Sequence, residues 1–395
     1  MMSDSIAGIR LGVAQAGLKV ADQDDLVVVE LASGTRTAAL FTQNTFRAAP
    51  VVVAERHLSV NQGFARLLLI NTGNANAGTG AMGITAAEKC CDAVADLASV
   101  NCSEVLPFST GVIGEPLDAD RITAALPSAI QNLEADNWQR AAAAILTTDT
   151  RPKLRTIEVD VDGRVYRITG MSKGAGMICP NLATMLAFIA TDAEIEQSSL
   201  DKLLRRANSV SFNRITVDGD TSTNDAVTLS ATGLSAVRVD SETPAFAEAL
   251  STLMIELAQD IVRDGEGATK FVAICVSGGE TQEACEQVGR TIAHSPLVKT
   301  ALFASDPNWG RILAAIGRAG LSNLITDDVS IRVNGVLIAE RGARARSYTE
   351  AQGQKAMAAS ELKIEVALNR GQAEATIWTT DLSYDYVKIN AEYRT

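Results

Sequence analysis

The sequence predicts an α/β (α+β) fold in which strands and helices are mixed along the whole chain. Short apolar or alternating runs typical of strands recur among segments with helical periodicity, and neither type is confined to one end. The chain has 395 residues, 47% apolar and 21% charged, which is an ordinary globular balance at a length too great for one ordinary core. Two domains or one large layered unit are therefore expected.

The elements before residue 150 are identified by their apolar patterns. Short runs rich in Val, Leu and Ile between turn residues predict strands, at residues 26–44 (two strands about a Ser33–Gly34 turn), 66–71 and 105–108. Apolar positions that recur every three to four residues predict helices, at residues 84–99, 118–131 and 136–146. The loops NTGNANAGTG and STGVIG follow the second and third strand regions.

The elements after residue 150 begin with a strong hairpin signal. Residues 155–169 alternate around Asp162–Gly163, a pair favoured in two-residue turns. The apolar run at 183–193 is short enough for a strand. Further helices are expected at residues 197–208, 244–263 and 284–294. Further strands are expected at 270–278, on both sides of Asn334–Gly335 and at 375–381, with a domain boundary near 275–285.

Composition excludes several classes of function. The formal net charge of -12 and the lack of a Lys/Arg run argue against binding to nucleic acid or anionic membranes. The N-terminus has no secretory signal pattern, and no apolar run reaches a membrane span of about 18 residues. The six cysteines show neither a CxxC pair nor a disulfide-framework spacing, so reduced thiols in a cytoplasmic protein are expected. With only two histidines, neither a His-based metal site nor a histidine base is expected.

One glycine motif resembles a dinucleotide-binding fingerprint but lacks its context. Residues 78–83 spell GTGAMG before a predicted helix. The preceding strand ends several residues too early for a tight turn, and no strand ending in an acid follows about 20 residues on. A Gly-rich loop at the start of a helix is the expected structure.

Residues 173–186, KGAGMICPNLATML, carry the chemistry that points to function. Gly174 and Gly176 allow positive φ or close approach to a ligand, and Pro180 excludes regular structure. Thr184 then begins an apolar strand. A threonine hydroxyl needs a base, and a cut before Thr184 would supply one, since a free α-amino group has a pKa of about 7.7–8.0. The alternative from the local pattern alone is a β-branched residue that merely starts a strand.

This motif resembles the signature of the ornithine acetyltransferase family, also called glutamate N-acetyltransferase, of arginine biosynthesis. Cys179 and Leu182 depart from the signature, at positions with no assigned chemical role. Further segments resemble the family in the same order along essentially the whole chain: NTGNANAGTG (71–80), STGVIG (109–114), AILTTDTRPK (144–153), FNRITVDGDTSTND (212–225), DGEGATK (264–270), SPLVKTA (295–301), DPNWGRI (306–312) and YDYVKINAEYRT (384–395).

The resemblance implies a self-cleaving precursor. The cut falls between Ala183 and Thr184, through an N→O acyl shift to Thr184 Oγ and hydrolysis of the ester. It leaves an α chain of residues 1–183 and a β chain of residues 184–395, which assemble as α2β2. The implied fold is similar to that of the DmpA-type aminopeptidases: β-sheets packed between helical layers, completed by residues 184–275, with a smaller C-terminal α/β domain at about 280–395.

The implied reaction is ping-pong acetyl transfer. Thr184 takes the acetyl group from N2-acetylornithine, ornithine leaves, and glutamate becomes N-acetylglutamate. The family's oxyanion hole falls on Thr110 and Gly111, and acetyl-CoA is a candidate second donor. No cofactor is expected. The implied substrate-binding residues are Thr147, Lys173, Thr184, Glu266, Asn390 and Thr395, where Thr147 is preferred to Thr148 on motif alignment alone.

Other interpretations of the same residues remain open. Lys173 could be a solvated loop lysine, and Glu266 a surface acid near a helix end. Asp218 and Asp220 lack EF-hand spacing, so a folded polar loop is expected there and not a metal site. A hydrolase of the DmpA type, in which water captures the acyl-Thr184, and a non-enzymatic binding protein are the rival functions.

Overall fold

The structure is a computed structural model that describes residues 3–19, 22–161, 163–179 and 185–392. The chain divides into two compact units. The first comprises Met1–Asn213 and Asp220–Ile261, and the second comprises Arg214–Gly219 and Val262–Thr395. Within the described ranges, every helix is too short or too polar to cross a membrane.

The first unit combines two β-sheets with helices. In chain order, with β9 belonging to the second unit, its elements are β1 (Ile9–Ala14), β2 (Leu26–Leu31), β3 (Arg36–Phe41), α1 (Ala49–Val60), β4 (Leu67–Asn74), α2 (Gly80–Ala98), β5 (Val105–Val112), α3 (Ala119–Gln131), α4 (Trp138–Ala144), β6 (Lys153–Val161), β7 (Arg164–Lys173), β8 (Leu186–Thr191), α5 (Gln197–Val210), β9 (Ile215–Thr216), β10 (Ala226–Ala231) and α6 (Pro244–Arg263).

The two sheets of the first unit have mixed strand directions. The first sheet has the order β1-β2-β4-β5, in which only the β4–β5 pair is parallel. The second has the order β3-β10-β8-β7-β6, in which only the β10–β8 pair is parallel. The β6–β7 hairpin pairs Val161 with Arg164, which confirms the hairpin predicted for residues 155–169.

The alternation of side chains along the strands explains why both faces of the first sheet are buried. Val27 and Val29 of β2 belong to the core between the two sheets, whereas Val28 packs on the side of α2 and α3. Across the inter-sheet core, the rings of Phe108 and Phe188 meet edge to face with centroids 5.0 Å apart. Apolar burial of this extent on both faces supplies most of the stability of such a unit.

Helices cover the outer faces of the two sheets. Cys90 and Val94 of α2 belong to the core on the outer face of the first sheet. On the second sheet, Tyr166 of β7 lies 5.5 Å from Phe246 of α6, measured between ring centroids. The structure therefore confirms the predicted layered arrangement of sheets between helices.

Two local features differ from the simplest interpretation of the sequence. The two strands about Ser33–Gly34 are present but do not pair: β2 lies in the first sheet and β3 in the second, so this turn carries the chain between sheets. The strand predicted at 105–108 continues to Val112, because residues 109–111 pair in parallel with β4. Thr110 and Gly111 thus lie in a strand, where the sequence predicted a loop.

The second unit is a seven-stranded sheet covered by helices. The remaining elements are β11 (Phe271–Gly279), α7 (Gln282–Ala293), α8 (Pro296–Phe303), α9 (Trp309–Gly317), β12 (Ser330–Val333), β13 (Val336–Glu340), β14 (Ala343–Arg344), α10 (Glu350–Met357), β15 (Glu361–Ala367), β16 (Ala373–Thr380) and α11 (Tyr384–Ala391). The strand order is β14-β13-β12-β15-β11-β16-β9.

Pairing within this sheet explains where the second unit begins. β11 pairs with β15 on one side and β16 on the other, so it is an interior strand of the second unit. The longer segment of the unit accordingly starts at Val262, ahead of β11, whereas the sequence placed the boundary near 275–285. The hairpin predicted at Asn334–Gly335 is confirmed, with Val333 opposite Val336.

Candidate active site

Three of the predicted site residues meet at the end of β7. Lys173 is the last residue of that strand, and its side chain is only 10% exposed. Its Nζ donates a hydrogen bond to Thr147 Oγ1 at 2.8 Å and another to Thr110 Oγ1 at 3.3 Å. The interpretation of Lys173 as a solvated lysine is therefore wrong.

These contacts also determine what the two hydroxyl groups can do. An ammonium group only donates hydrogen bonds, so each threonine oxygen acts as the acceptor. Each hydroxyl hydrogen is then left for another partner. Thr110 can consequently receive a hydrogen bond from Lys173 and donate one to a developing negative charge, as an oxyanion hole requires.

A buried carboxylate that the sequence analysis did not single out holds this group together. The side chain of Asp149 is fully buried, with Oδ1 2.7 Å from Lys153 Nζ and Oδ2 3.7 Å from Lys173 Nζ. It also accepts backbone N–H bonds from Thr147 at 3.1 Å and Gly174 at 2.6 Å. Burial by itself would raise the pKa of Asp149, but the charges of Lys173 and Lys153 outweigh it and hold that pKa well below its usual value.

A signal for Asp149 and Lys153 did exist in the sequence. Both lie in the segment AILTTDTRPK that carries part of the family resemblance, two and six residues after Thr147. A carboxylate and an ammonium group four residues apart are common on surfaces, and nothing in the local pattern shows that this pair is buried. Only the long-range contact with Lys173 distinguishes it.

Lys19 adds a third ammonium group to this region, which sequence reasoning also missed. Its Nζ donates hydrogen bonds to the main-chain oxygens of Ala144, at 3.4 Å, and Leu146. Burial, and to a smaller extent the charge of Lys173, lower the pKa of Lys19 to about 8, although the charges of Asp25 and Asp149 act in the opposite direction. The region is thus rich in positive charge.

The close approach of two strands explains why residue 111 is a glycine. Gly111 has φ +134°, and a Cβ there would lie 2.6 Å from the Asn74 nitrogen and nearer still to the Gly73 carbonyl carbon. A side chain would therefore push β5 away from β4. The conformation that presents Thr110 and Gly111 depends on this glycine.

Two asparagines hold Ser109, the residue before Thr110 and Gly111, in place. Ser109 Oγ donates to Asn71 Oδ1 at 2.6 Å, which joins β5 to β4. Asn224 Nδ2 donates to the main-chain oxygens of Ser109, at 2.9 Å, and Ala75, at 2.6 Å. Asn224 is buried, so these bonds are shielded from water and hold the end of β5 in one position.

The two glycines of the 173–186 motif behave differently. Gly174 has φ +152°, as the sequence predicted for a position that needs backbone freedom. Gly176, by contrast, is not among the positive-φ residues of the described chain. The residue after it, Met177, has a positive φ of +53° instead. Gly174 places its N–H on Asp149, so its conformation is part of the buried network.

In the second unit, two predicted site residues contact each other. Asn390 Nδ2 donates to Glu266 Oε2 at 2.7 Å and to the Tyr386 main-chain oxygen at 3.0 Å. This hydrogen bond joins Glu266 to α11, the helix that contains Asn390. Ser383 begins this helix, with its hydroxyl accepting the Tyr386 N–H at 3.2 Å.

The loop containing Asp218 is a folded polar segment, as the sequence predicted. Tyr386 Oη donates to Asp218 Oδ2 at 3.3 Å. Within the ranges that the structure describes, no group of three or more His, Cys, Asp or Glu side chains is arranged to hold a metal ion.

A buried lysine supports the segment that precedes α11. Lys299 Nζ donates to Thr379 Oγ1 at 3.1 Å and to the main-chain oxygen of Thr380 at 2.5 Å. Burial lowers the pKa of Lys299 to about 7, even though the charges of Asp381 and Asp218 act in the opposite direction. Asp381 in turn accepts N–H bonds from Thr269, at 2.9 Å, and Lys270, at 3.1 Å.

Three predicted residues, Ala183, Thr184 and Thr395, lie outside the described residues. The described chain resumes at Met185, directly before β8. The GTGAMG segment leads into α2, which starts at Gly80, in agreement with the predicted loop and helix. Within this segment, Thr79 Oγ1 donates to Asn76 Oδ1, three residues earlier, at 2.9 Å.

Comparisons with known proteins agree with one another. A family model described as the ArgJ family matches residues 10–395. A protein from Pseudomonas syringae pv. tomato named arginine biosynthesis bifunctional protein is 52% identical over 99% of this chain and 97% of its own. A protein of the same name from Methylococcus capsulatus is 54% identical over 99% of this chain and 96% of its own.

A solved structure agrees with these sequence matches. The crystal structure of the arginine biosynthesis bifunctional protein from Bacillus halodurans aligns with a TM-score of 0.51 and 39% identity. The alignment covers all of that crystallised chain and 53% of this one.

Proposed function

The chain belongs to the ArgJ family, and we propose that it moves the acetyl group of N2-acetylornithine to glutamate through an acetyl-Thr184 intermediate. Its relatives at 52–54% identity are arginine biosynthesis bifunctional proteins, and the chain is an acetyltransferase of arginine biosynthesis. The proposed products are ornithine and N-acetylglutamate.

The observation that carries the proposal is the group formed by Thr110, Gly111, Thr147 and Lys173. It combines two hydroxyl groups, a strand end at which a side chain on Gly111 would clash with β4, and a buried ammonium group held by Asp149. A reaction with a tetrahedral oxyanion needs fixed donors in a site shielded from water. A substrate with an α-carboxylate needs a cation, which Lys173 provides.

In the first half-reaction, Thr184 Oγ attacks the carbonyl carbon of the acetyl group. Its α-amino group accepts the hydroxyl proton, and the Thr110 hydroxyl and the Gly111 N–H stabilise the oxyanion. Collapse of the tetrahedral intermediate breaks the amide C–N bond. The proton passes to the leaving nitrogen, ornithine departs, and the acetyl group remains as an ester on Thr184.

In the second half-reaction, the amino group of glutamate attacks that ester. The Thr184 oxygen leaves and regains its proton, and N-acetylglutamate departs. Both amino acids carry an α-carboxylate, for which we propose Lys173 and Thr147 as binding residues. Glu266, Asn390 and Thr395 complete the proposed substrate-binding set on the basis of the family resemblance.

Self-cleavage between Ala183 and Thr184 would produce the free α-amino group that this chemistry needs. The crystallised Bacillus halodurans chain corresponds to about half of this one, which is the size that a cut near the middle would yield. Association of residues 1–183 and 184–395 as α2β2, a cytoplasmic location and use of acetyl-CoA as a second donor are further parts of the proposal, and they rest on the resemblance. No cofactor enters the proposed reaction.

Intact mass under denaturing conditions tests the proposal first. We expect two fragments from the wild type, one beginning at Thr184, and a single full-length chain from Thr184→Ala. A single uncut chain in both samples would remove the α-amino base and with it the mechanism.

Acetyl transfer then distinguishes the proposed reaction from its rival. We expect N-acetylglutamate to form from acetylornithine only when glutamate is present. Equal loss of acetyl groups without an amine acceptor would indicate the DmpA-type hydrolase, which the 52–54% identical relatives do not favour.

A further inference from the structure

Lys19 is a half-buried lysine to which the proposed acetyl transfer gives no role. It lies in the loop between β1 and β2. Its ammonium group donates to the main-chain oxygens of Ala144 and Leu146, as described above. These oxygens lie at the C-terminal end of α4, where the last carbonyls of a helix lack partners within the helix. A lysine in this position ordinarily only caps the helix, but the residue after Leu146 is Thr147, which belongs to the proposed site.

A buried carboxylate fixes the main chain that carries Lys19. Asp25 is fully buried and directly precedes β2. Its two carboxylate oxygens accept the N–H groups of Ala16 at 2.5 Å, Leu18 at 2.6 Å and Lys19 at 3.2 Å. Hydrogen bonds to an ionised group are stronger than those between neutral groups. The backbone of Lys19 is therefore anchored to the first sheet.

The same loop packs against the strand end that carries Gly111. Gly73 of β4 pairs with Gly111 of β5. A Cβ on Gly73 would lie 2.6 Å from the Leu18 main-chain oxygen and 3.0 Å from Lys19 Cγ, so the aliphatic stem of Lys19 lies against Gly73. The main chain of Gly73 is also what leaves no space for a side chain on Gly111. Lys19 therefore rests on the strand pair that presents Thr110 and Gly111.

The ammonium end of Lys19 holds the chain directly before Thr147. Thr72 Oγ1, on β4, donates to the same Ala144 oxygen at 3.2 Å, so this segment is tied to β4 as well. The N–H of Thr147 itself is accepted by Asp149 at 3.1 Å. Lys19 thus connects the two segments whose threonine hydroxyl groups accept hydrogen bonds from one ammonium group in the site.

We propose that Lys19 is a positioning residue for acetyl transfer, which holds Thr147 in the place that substrate binding requires relative to Thr110. In this role it acts through the Leu146 carbonyl, without contact with the substrate. This inference rests on the proposed function, in which Thr147 and Lys173 bind the α-carboxylate. A binding site that is held in its bound geometry beforehand needs less ordering when the substrate binds. Loss of the Lys19 ammonium group should therefore raise KM more than it lowers kcat.

The charge of Lys19 strengthens its hold on the two carbonyls, since an ammonium group is a stronger donor than a neutral amine. The charged groups that act on it are Lys173 of β7, Asp25 before β2 and Asp149 after α4. With burial as the largest cause, the pKa of Lys19 is lowered to about 8. The charged form is therefore complete well below pH 8, and its contribution to positioning should decline as pH rises through about 8.

The first test compares wild type with Lys19→Met, which retains the stem against Gly73 and removes the ammonium group. Steady-state transfer from N2-acetylornithine to glutamate is measured with the full-length protein. We expect KM for N2-acetylornithine to rise about tenfold, as for the loss of a hydrogen bond from a charged group, with a smaller change in kcat. Lys202→Met, at an exposed lysine of α5 in the same unit, should match wild type.

A double-mutant cycle shows whether Lys19 acts through Thr147. If it does, Lys19→Met combined with Thr147→Val should have nearly the KM of Thr147→Val alone, since no hydroxyl group is left to position. A lysine that only stabilises the fold, or that attracts anionic substrates by its charge, would give effects that multiply. Multiplied effects, or a wild-type KM in either single variant, would overturn the positioning role.

Lys19→Arg provides a measurement that remains valid if Lys19→Met fails to fold, because it retains a cationic donor. A guanidinium group stays charged throughout this range of pH, and the other titrating groups are common to both proteins. The ratio of the wild-type KM to that of Lys19→Arg should therefore rise as pH passes about 8. A ratio that stays constant from about pH 6.5 to 9.5 would contradict the role of Lys19. Absence of acetyl transfer by wild type would instead overturn the proposed function itself.

Discussion

The two groups of predicted site residues differ in how far they are withdrawn from water. In the first unit, Asp149 and Lys153 have side chains 0% and 1% exposed, and Lys173 is 10% exposed. In the second unit, the hydrogen bond between Glu266 and Asn390 is exposed to solvent. Both groups carry charge, but only the first must satisfy that charge from within the fold.

This difference determines how each group can serve a ligand. A buried charge has no water to replace a lost partner, so its geometry is fixed before any substrate arrives. An exposed pair gains little from its own contact, because water is an adequate alternative. The first group is therefore suited to stabilising a transition state, and the second to contacts that form and break as substrates exchange.

Removal of the Asp149 carboxylate is the strongest way to test this contrast. Asp149→Ala leaves two buried ammonium groups without their shared partner, and we expect it to destabilise the protein by roughly 3–5 kcal/mol. The exposed control Asp136→Ala should stay within about 0.5 kcal/mol of wild type. Urea unfolding measures both, and equal midpoints for the two variants would contradict a buried network.

The pH dependence of this effect has a defined sign. The folded-state pKa of Asp149 is lowered, so its contribution to stability is complete above the unfolded pKa of about 3.9 and is lost as pH falls below it. The difference between wild type and Asp149→Ala should thus be constant at neutral pH and shrink only in acid.

A methyl group at Gly111 is expected to have the next largest effect, on catalysis more than on folding. Ala at φ +134° would displace β5 from β4 and misplace the Gly111 N–H and the Thr110 hydroxyl. We expect kcat for acetyl transfer to fall about 10²–10³-fold. Gly317→Ala, where no atom lies within 4 Å of the added Cβ, should retain wild-type kcat. Wild-type turnover by Gly111→Ala would remove this strand end from the oxyanion site.

The sequence predicted those features that depend on near neighbours in the chain. The β6–β7 and Asn334–Gly335 hairpins follow from the turn residues in the sequence, and the strand and helix positions follow from apolar periodicity. Lys173, Thr147 and Thr110 were assigned by resemblance, and the structure brings these three together.

What the sequence could not predict depends on contacts between distant residues. Asp149 looks like an ordinary loop acid, because the contacts that bury its side chain and lower its pKa come partly from Lys173, on a distant element. The separation of β2 and β3 into different sheets is equally invisible, since either strand could pair locally. The start of the longer segment of the second unit at Val262 follows from the pairing of β11 with strands about 90–110 residues further along the chain.

A smaller effect is expected from the Thr147 hydroxyl, which touches the buried network from its edge. Thr147→Val removes the 2.8 Å acceptor of Lys173 but leaves the ion pair with Asp149 intact. A hydrogen bond to a charged group contributes about 1.5–3 kcal/mol, so kcat/KM should fall roughly 10–100-fold. Thr85→Val, on the exposed face of α2, is the matched control. A change confined to stability, with kcat/KM unaltered, would limit Thr147 to a structural role.

The smallest effect is expected at Asn390, where water can replace the lost contact. Asn390→Ala removes the 2.7 Å hydrogen bond to Glu266, and we expect kcat/KM to fall by less than about tenfold, with stability unchanged within about 0.5 kcal/mol. Deletion of residues 390–395 should lower turnover further and still permit self-cleavage, because α11 belongs to the second unit whereas Lys173 and β8, which follows the proposed cut, belong to the first. Steady-state kinetics and intact mass on the same samples measure the two effects separately. Loss of cleavage in the deletion would mean that the second unit is needed for self-processing and that the division of roles drawn here is wrong. Unchanged kinetic constants in both variants would remove Asn390 and Thr395 from the substrate site and leave the first unit as the part that determines specificity.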